Sequence, residues 1–169
     1  MRKGEDIMTQ EELNEILHKH KLWLDGNPDE TKANLRWADL RGADLSRADL
    51  READLSWATA NYTTAGYYLT CPEEGSFIGF KKTREGIVKL EVPADALRSS
   101  ATTRKCRCSK AKVLELPEGV TEAHSTHDSS FIYRLGEIVE VKDFDTNRWN
   151  ECSSGIHFFM TRAEAETWY

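Results

Sequence analysis

The chain carries 169 residues, 39% of them hydrophobic and 31% charged, with a formal net charge of −6. That composition supports one folded domain, or two small ones sharing a core, and excludes a disordered chain. No run approaches the roughly 18 apolar residues of a membrane span, no charged-then-apolar leader opens the chain, and the acidic balance disfavours nucleic acid as a partner. A cytoplasmic protein with no membrane partner is expected.

The first predicted element lies in "MTQEELNEILHKHKLWLDG". Thr9 followed by Glu12 is a capping-box signature, and Leu13, Ile16, Leu17, His20 and Leu24 recur at helical spacing. Gly26 and Pro28 end the pattern. An amphipathic helix of about four turns follows from this, and with its linker it occupies residues 1–32. His18 and His20 point to different helix faces, which argues against a shared metal ion.

From Ala33 the units ANLRW, ADLRG, ADLSR, ADLRE, ADLSW, ATANY and TTAGY run to Tyr67. They resemble the pentapeptide-repeat family, which places Leu or Phe at the centre of each unit and a small residue two positions earlier. The resemblance implies a right-handed, four-sided β-helix over 33–67, with four units to a coil. Leu35, Leu40, Leu45, Leu50 and Leu55 then fill a narrow interior, Ala33, Ala38, Ala43, Ala48 and Ala53 sit where only a methyl has room, and the Asp and Arg positions face water. The last two units lose the central leucine to Ala60 and Ala65. Fewer than two coils cannot offset the ordering entropy alone, so the N-terminal helix is expected to cap one end and the C-terminal region to cover the other.

Trp37 and Trp57 are twenty residues apart, one full coil, and should stack on one face, since neighbouring strands lie about 4.8 Å apart. Such a ledge calls for cover by the rest of the chain or by a second copy, making the pair a candidate interface of a homo-oligomer. Some long pentapeptide-repeat proteins imitate DNA. Here Asp39, Asp44, Asp49, Glu52 and Asp54 face Arg36, Arg41, Arg47 and Arg51, and a near-neutral stub makes a poor mimic.

From residue 68 the rhythm stops. "SFIGFKK", "GIVKLEVP", "AKVLELP" and "GEIVEVKDF" read as short strands, "SSGIHFFM" as a buried strand, and "PADALRSS" as a short turn of helix. Thr161 with Glu164 opens a final helix through "TRAEAETWY". Residues 68–169 thus form a compact α+β domain, and the fold class of the whole is α+β. The phrases "CPEEGSFIGFKK", "RSSATTRKCRCSKAKVLEL" and "GEIVEVKDFDTNRWNECSSGIHFFMTRAEAE" resemble an uncharacterised domain that follows short pentapeptide stretches in phage, prophage and firmicute proteins. The resemblance implies an architecture and a viral neighbourhood, with the host cytoplasm as location, and no established activity.

The densest chemistry is "RSSATTRKCRCSKAK", which holds Arg98, Arg104, Lys105, Arg107, Lys110 and Lys112 and no acid. Such clustering focuses positive potential. With Ser99, Ser100, Thr102 and Thr103 it suits phosphate oxygens, and Arg134 joins it as a candidate. The competing reading is a solvated strand with alternating basic side chains. Cys71, Cys106, Cys108 and Cys152 are too few and too irregular for a disulfide framework, so buried free thiols are expected; the CxC pair lacks the two knuckles of a zinc site, and His124, His127 and Asp128 make no better one. Cys152, His157 and Glu151 form a possible thiolate–imidazole set, set against Cys152's place before a buried strand.

"IYRLGEIVEVKDF" followed by "GIHFF" loosely resembles ADP-ribosyltransferase-type folds, but the glutamate motif of that family is not identifiable. The sequence therefore points away from catalysis, with no catalytic residue, metal or cofactor assigned. It reads as a phage-type binding protein that captures a phosphorylated, nucleotide-like small molecule or a host protein, with antagonism of host defence as the use. A nucleotide-modifying enzyme with Arg98, Arg134, Glu151 or His157 in its site is the alternative, and a purely structural module comes third.

Overall fold

The computed structural model describes residues 7–168. It shows a mixed fold with two helices and antiparallel sheets among the described residues. The chain divides into two compact units: one ends at Tyr68 and takes in Ala101–Thr103, and the other holds Leu69–Ser100 and the chain from Arg104 on. No helix of the described residues is long and apolar enough to cross a membrane.

The first unit opens with α1, Gln10–Leu24, whose capping box forms as its residues require: Glu12 N–H donates to Thr9 Oγ1 at 3.2 Å and Thr9 N–H to Glu12 Oε2 at 3.1 Å. Leu13 and His20 are its buried residues. His20 is fully buried. Its Nδ1 accepts the Ala33 N–H at 3.1 Å, joining the helix to the first repeat, and burial pulls its pKa down.

In the repeats, Leu35, Leu40, Leu45 and Leu50 are buried, as are Ala33 and Ala43. Each such leucine contributes about 1.5–3 kcal/mol of transfer free energy. Parallel bridges join Asn34 to Asp54 and Asp39 to Thr59, twenty residues apart. The five-residue period also has a backbone cause. The N–H groups of Ala38, Ala43, Ala48, Ala53 and Ala58 bond back to the carbonyls of Leu35, Leu40, Leu45, Leu50 and Leu55, closing a turn in every unit. Positive φ recurs at the third turn position, at Trp37, Gly42, Arg47, Glu52 and Trp57, which is the type II pattern. The aspartates do more than face water. Asp39, Asp44, Asp49 and Asp54 each accept the backbone N–H two residues on, as does Asn34, so the acid of every ADL unit holds the turn that follows it.

The short stack is extended from both chain directions. Ile7 bridges Asp39 in parallel, the Met8 N–H donates to the Asp39 carbonyl at 2.9 Å, and Gln10 brackets the Asp44 backbone through its amide. Three layers, Ile7, Asp39 and Thr59, therefore stand on that side. On another, the Arg47 N–H donates to the Thr102 carbonyl and Thr102 Oγ1 to the Ala48 carbonyl.

The seventh unit sits one residue out of the expected frame. Ala65 bridges Asp44, twenty-one residues away, so Thr64, Ala65 and Gly66 align with Ala43, Asp44 and Leu45. Thr64 is buried and donates its hydroxyl to the Leu40 carbonyl, while Gly66 takes the leucine position. A Cβ on Gly66 would lie 2.9 Å from the Leu45 backbone. Trp37 and Trp57 stack with centroids 5.3 Å apart and planes 11° from parallel.

The second unit holds nine strands: β1 Phe77–Lys82, β2 Ile87–Val92, β3 Arg98–Ser100, β4 Cys106–Cys108, β5 Lys110–Glu115, β6 Glu122–His124, β7 Ile132–Arg134, β8 Ile138–Glu140 and β9 Ile156–Phe158. They form a sheet β1-β2-β5-β8, a sheet β3-β4-β9 and a ribbon β6-β7, all antiparallel. Val88, Leu90, Val92 and Val113 of the first sheet pack with Cys106, Cys108, Ile156 and Phe158 of the second and Tyr133 of the ribbon. Gly79 lets Phe158 approach β1; a Cβ there would fall 2.6 Å from the ring. The free edge of β1 is covered by Phe159, which exchanges two 2.8 Å bonds with Phe80, and by a bridge from Thr83 to Ser125. α2, Arg162–Thr167, carries the second capping box; Tyr169, the end of the expected helix, lies outside the described residues.

One expected helix is absent. "PADALRSS" forms a turn closed by Ala96 N–H on the Pro93 carbonyl, followed directly by β3. The Arg98 guanidinium takes the carbonyls of Pro93, Ala94 and Ala96 that helical donors would otherwise need.

The two tight turns make a differential test. Gly42→Ala meets open space, with Thr63 Oγ1 no nearer than 4.0 Å, and should cost about 1 kcal/mol for its left-handed backbone. Gly66→Ala adds collision with backbone and should cost about 3 kcal/mol. Urea denaturation of both variants checks the order; equal losses would refute the shifted frame.

Candidate functional site

The strand "FIGFKK" places Phe77, Gly79 and Lys81 on one face by simple alternation. That face turns inward: Gly79 meets Phe158, and Lys81 pairs in register with Val88, which is fully buried. Lys81 is consequently a core-position lysine, only 7% exposed. Its ammonium makes no hydrogen bond and no ion pair among the described residues.

Lys81 lines a cavity of about 840 Å³ within the second unit. That volume falls in the range of small-molecule sites. Phe131, Phe159 and Trp168 supply aromatic wall, and Lys105, Cys152 and His157 line the same space. Lys105, just before β4, is as buried as Lys81 but occupied: Nζ donates to Cys152 Sγ at 3.1 Å, lies 3.5 Å from Glu151 Oε2, and sits 4.9 Å over the Trp168 ring. Lys82 caps α2 through the Glu166 and Trp168 carbonyls.

Electrostatics follow from burial. Desolvation, reinforced by the like charge of Lys105, pulls the Lys81 amine down to about 8. Desolvation likewise pulls His157 down to about 4, against the raising effect of its bond to Glu151. The imidazole is therefore neutral at pH 7. Its Nε2–H donates to the Glu151 carbonyl at 3.0 Å, leaving Nδ1 as an acceptor. The Tyr133 hydroxyl also belongs to the cavity and has no hydrogen-bond partner among the described residues. Asp128, Glu140 and Asp143 line the cavity from the β6–β7 turn and the end of β8, so the site carries both signs of charge on different elements.

The basic stretch singled out in the sequence is dispersed. Arg98 is spent on backbone carbonyls and lies over the Phe77 ring. Arg107, 1% exposed, donates to the carbonyls of Asp145, Asn147 and Ser154. Ser99 is buried, Ser100 accepts the Thr70 N–H, and Thr102 belongs to the first unit. Arg104 pairs with Glu164, Lys110 with Asp95, and Arg134 with Glu122. Of these nine candidates the cavity takes Lys105. Lys81, which the charge cluster did not include, was legible in the alternation from Phe77.

The thiols do not assemble a metal centre: no group of three or more potential ligands occurs among the described residues. Cys71, Cys106 and Cys108 are buried and free, and burial pushes the Cys108 thiol up. Cys152 is exposed and receives Lys105, while the Nε2–H of His157 is committed to Glu151. His124 bonds Glu85 at 2.7 Å and pairs within β6, apart from His127 on the cavity wall.

A buried, unpaired ammonium burdens the fold. The unfolded chain binds the Lys81 proton more tightly than the folded one, so this group's contribution raises stability as pH climbs from about 8 toward 10.5. Lys81→Met should stabilise the protein at pH 7 by about 2 kcal/mol and flatten that rise. Denaturation at pH 7 and pH 10 measures both; a destabilised variant at pH 7 would contradict the unpaired site.

Residues 31–61 match the family described as "Pentapeptide repeats (8 copies)". An uncharacterised protein of Acanthamoeba polyphaga mimivirus is 33% identical over 98 residues, covering 50% of this chain and 62% of that protein. The chain thus spans less than two thirds of that viral relative's length. No solved structure matches. Residues 67–165 match a family of unknown function, DUF5758, and with more than half of its length inside that match the chain belongs to this family.

Proposed function

We propose that the second unit is a non-catalytic binding module that captures a small phosphorylated ligand in the cavity behind β1. The observation that carries this is Lys81: a lysine 7% exposed and without a counter-charge, facing an open cavity beside Lys105. A charge left unpaired at such cost is explained by an anion that supplies the missing partner. Phe159 and Trp168, their rings 5.1 Å apart, offer a wall for a planar ring, and the acids Asp128, Glu140 and Asp143 suit a neutral or cationic end of the same molecule. Antagonism of a host signal is the use proposed for such a module, since capture is enough to silence a phosphorylated messenger.

The repeats serve this module as a scaffold. Their twenty-residue bridges and buried leucines support a right-handed, four-sided β-helix, and Trp37 and Trp57, exposed by 61% and 67%, support a contact between copies. Sedimentation of the Trp37→Ser/Trp57→Ser variant should then show a shift toward monomer; an unchanged distribution would remove that role.

The ligand reading is tested by calorimetric titration with inorganic phosphate, pyrophosphate and AMP. Saturable binding of at least one is expected, weakened at least tenfold by Lys81→Met, as loss of a charge-assisted bond of about 1.5–3 kcal/mol requires. Absence of saturable binding across the series would refute it.

A further inference from the structure

We propose that Lys81 captures carbonyl compounds covalently, so that the ligand class of the cavity is a small anionic aldehyde or ketone held as a reversible imine. This rests on the reading of the cavity as an anion site and specifies which anions it retains.

Three features separate Lys81 from an ordinary anion-binding lysine. It is desolvated at a core position of β1, packed in register against Val88 and behind the Gly79–Phe158 contact. The largest charged influence on it is another cation, Lys105, and no carboxylate among the described residues bonds its ammonium. Desolvation and a neighbouring cation are the two devices that keep a lysine amine neutral and nucleophilic near neutral pH. Third, the same cavity presents groups of the right protonation to move protons: the Tyr133 hydroxyl, free to donate, and the neutral His157 imidazole, with Nδ1 free to accept. Lys105, held by Glu151 and Cys152, orients the ligand's anionic group.

The chemistry balances without any further reagent. The neutral Lys81 Nζ adds its lone pair to the carbonyl carbon, forming a C–N bond as the C=O π pair moves to oxygen. A proton passes from nitrogen to that oxygen to give the carbinolamine. A second proton transfer lets the oxygen leave as water while the nitrogen pair forms C=N. Amine and carbonyl become imine and one water, with no change of oxidation level, and hydrolysis reverses each step.

The test uses the full chain with pyridoxal 5′-phosphate, an anionic aromatic aldehyde, and pyridoxine 5′-phosphate, its alcohol counterpart, which cannot form an imine. Borohydride reduces any imine to a stable amine, read by intact mass and peptide mapping. One adduct per chain is expected, on Lys81, with labelling at least about tenfold ahead of the exposed Lys112 and competed by the alcohol. Lys81→Arg should lose the adduct, because a guanidinium cannot form the imine. Binding of the alcohol with no Lys81 adduct, or labels scattered over exposed lysines, overturns the imine and leaves the anion site standing. Failure of both compounds to bind, together with failure of the phosphate titrations, removes both readings.

Discussion

Arg107 is the largest of the fully buried side chains, and the architecture of the second unit depends on how its charge is met. No carboxylate among the described residues pairs with it in an ion bridge. Its guanidinium instead donates to the carbonyls of Asp145, Asn147 and Ser154, and lies over the Phe144 ring at 5.0 Å. A planar fork with fixed donors suits such a task in a way an ammonium does not. The loop from Asp143 to Gly155 has no strand or helix of its own, yet it builds one wall of the cavity. One side chain from the middle of β4 therefore does for this loop what a sheet partner does for a strand. The wall is preorganised by a buried cation whose two terminal nitrogens bond three of the loop's carbonyls.

Set beside it, Lys81 is the informative contrast. Both are cations at core positions, both on strands, both nearly inaccessible. Arg107 is surrounded by acceptors that the chain itself supplies, and burial lowers its proton affinity without leaving it unpaired. Lys81 has none, and its neighbour is a second lysine. A fold selected only for stability has an inexpensive remedy in any apolar side chain of similar length. An unanswered amine where methionine would pack is the contrast on which the proposal of a ligand at Lys81 rests.

How much of this was legible in the sequence depended on whether a signal was periodic or merely clustered. The pentapeptide units were readable because their period fixes both the interior leucine and the turn that follows it. Both capping boxes formed for the same reason, their two bonds being encoded three residues apart. The frame shift at Thr64 was not readable, since a weakened unit loses the leucine that marks its phase. The charge cluster from Arg98 to Lys112 misled as geometry. A turn and three strands run through it, sending Arg98 and Arg107 to backbone carbonyls and Lys110 to Asp95, with Lys105 alone directed to the cavity. Linear density of charge says nothing about the direction of side chains. Alternation does, and it places Lys81 on the face of Phe77 and Gly79.

The left-handed turns of the first unit show the same trade between local cost and purpose. Gly42 occupies its turn without penalty, whereas Trp37, Arg47, Glu52 and Trp57 adopt positive φ against the preference of any residue with a Cβ. At Arg47 the backbone N–H is taken by the Thr102 carbonyl and at Glu52 the carboxylate pairs with Lys32, while Leu45 and Leu50 beside them are buried. At Trp37 and Trp57 the strained backbone sets two indoles nearly parallel and leaves them in water. Glycine would serve the backbone better at both positions, and a polar residue would serve solubility better. Tryptophan answers neither demand, and that mismatch is what motivates the proposed contact between copies at Trp37 and Trp57.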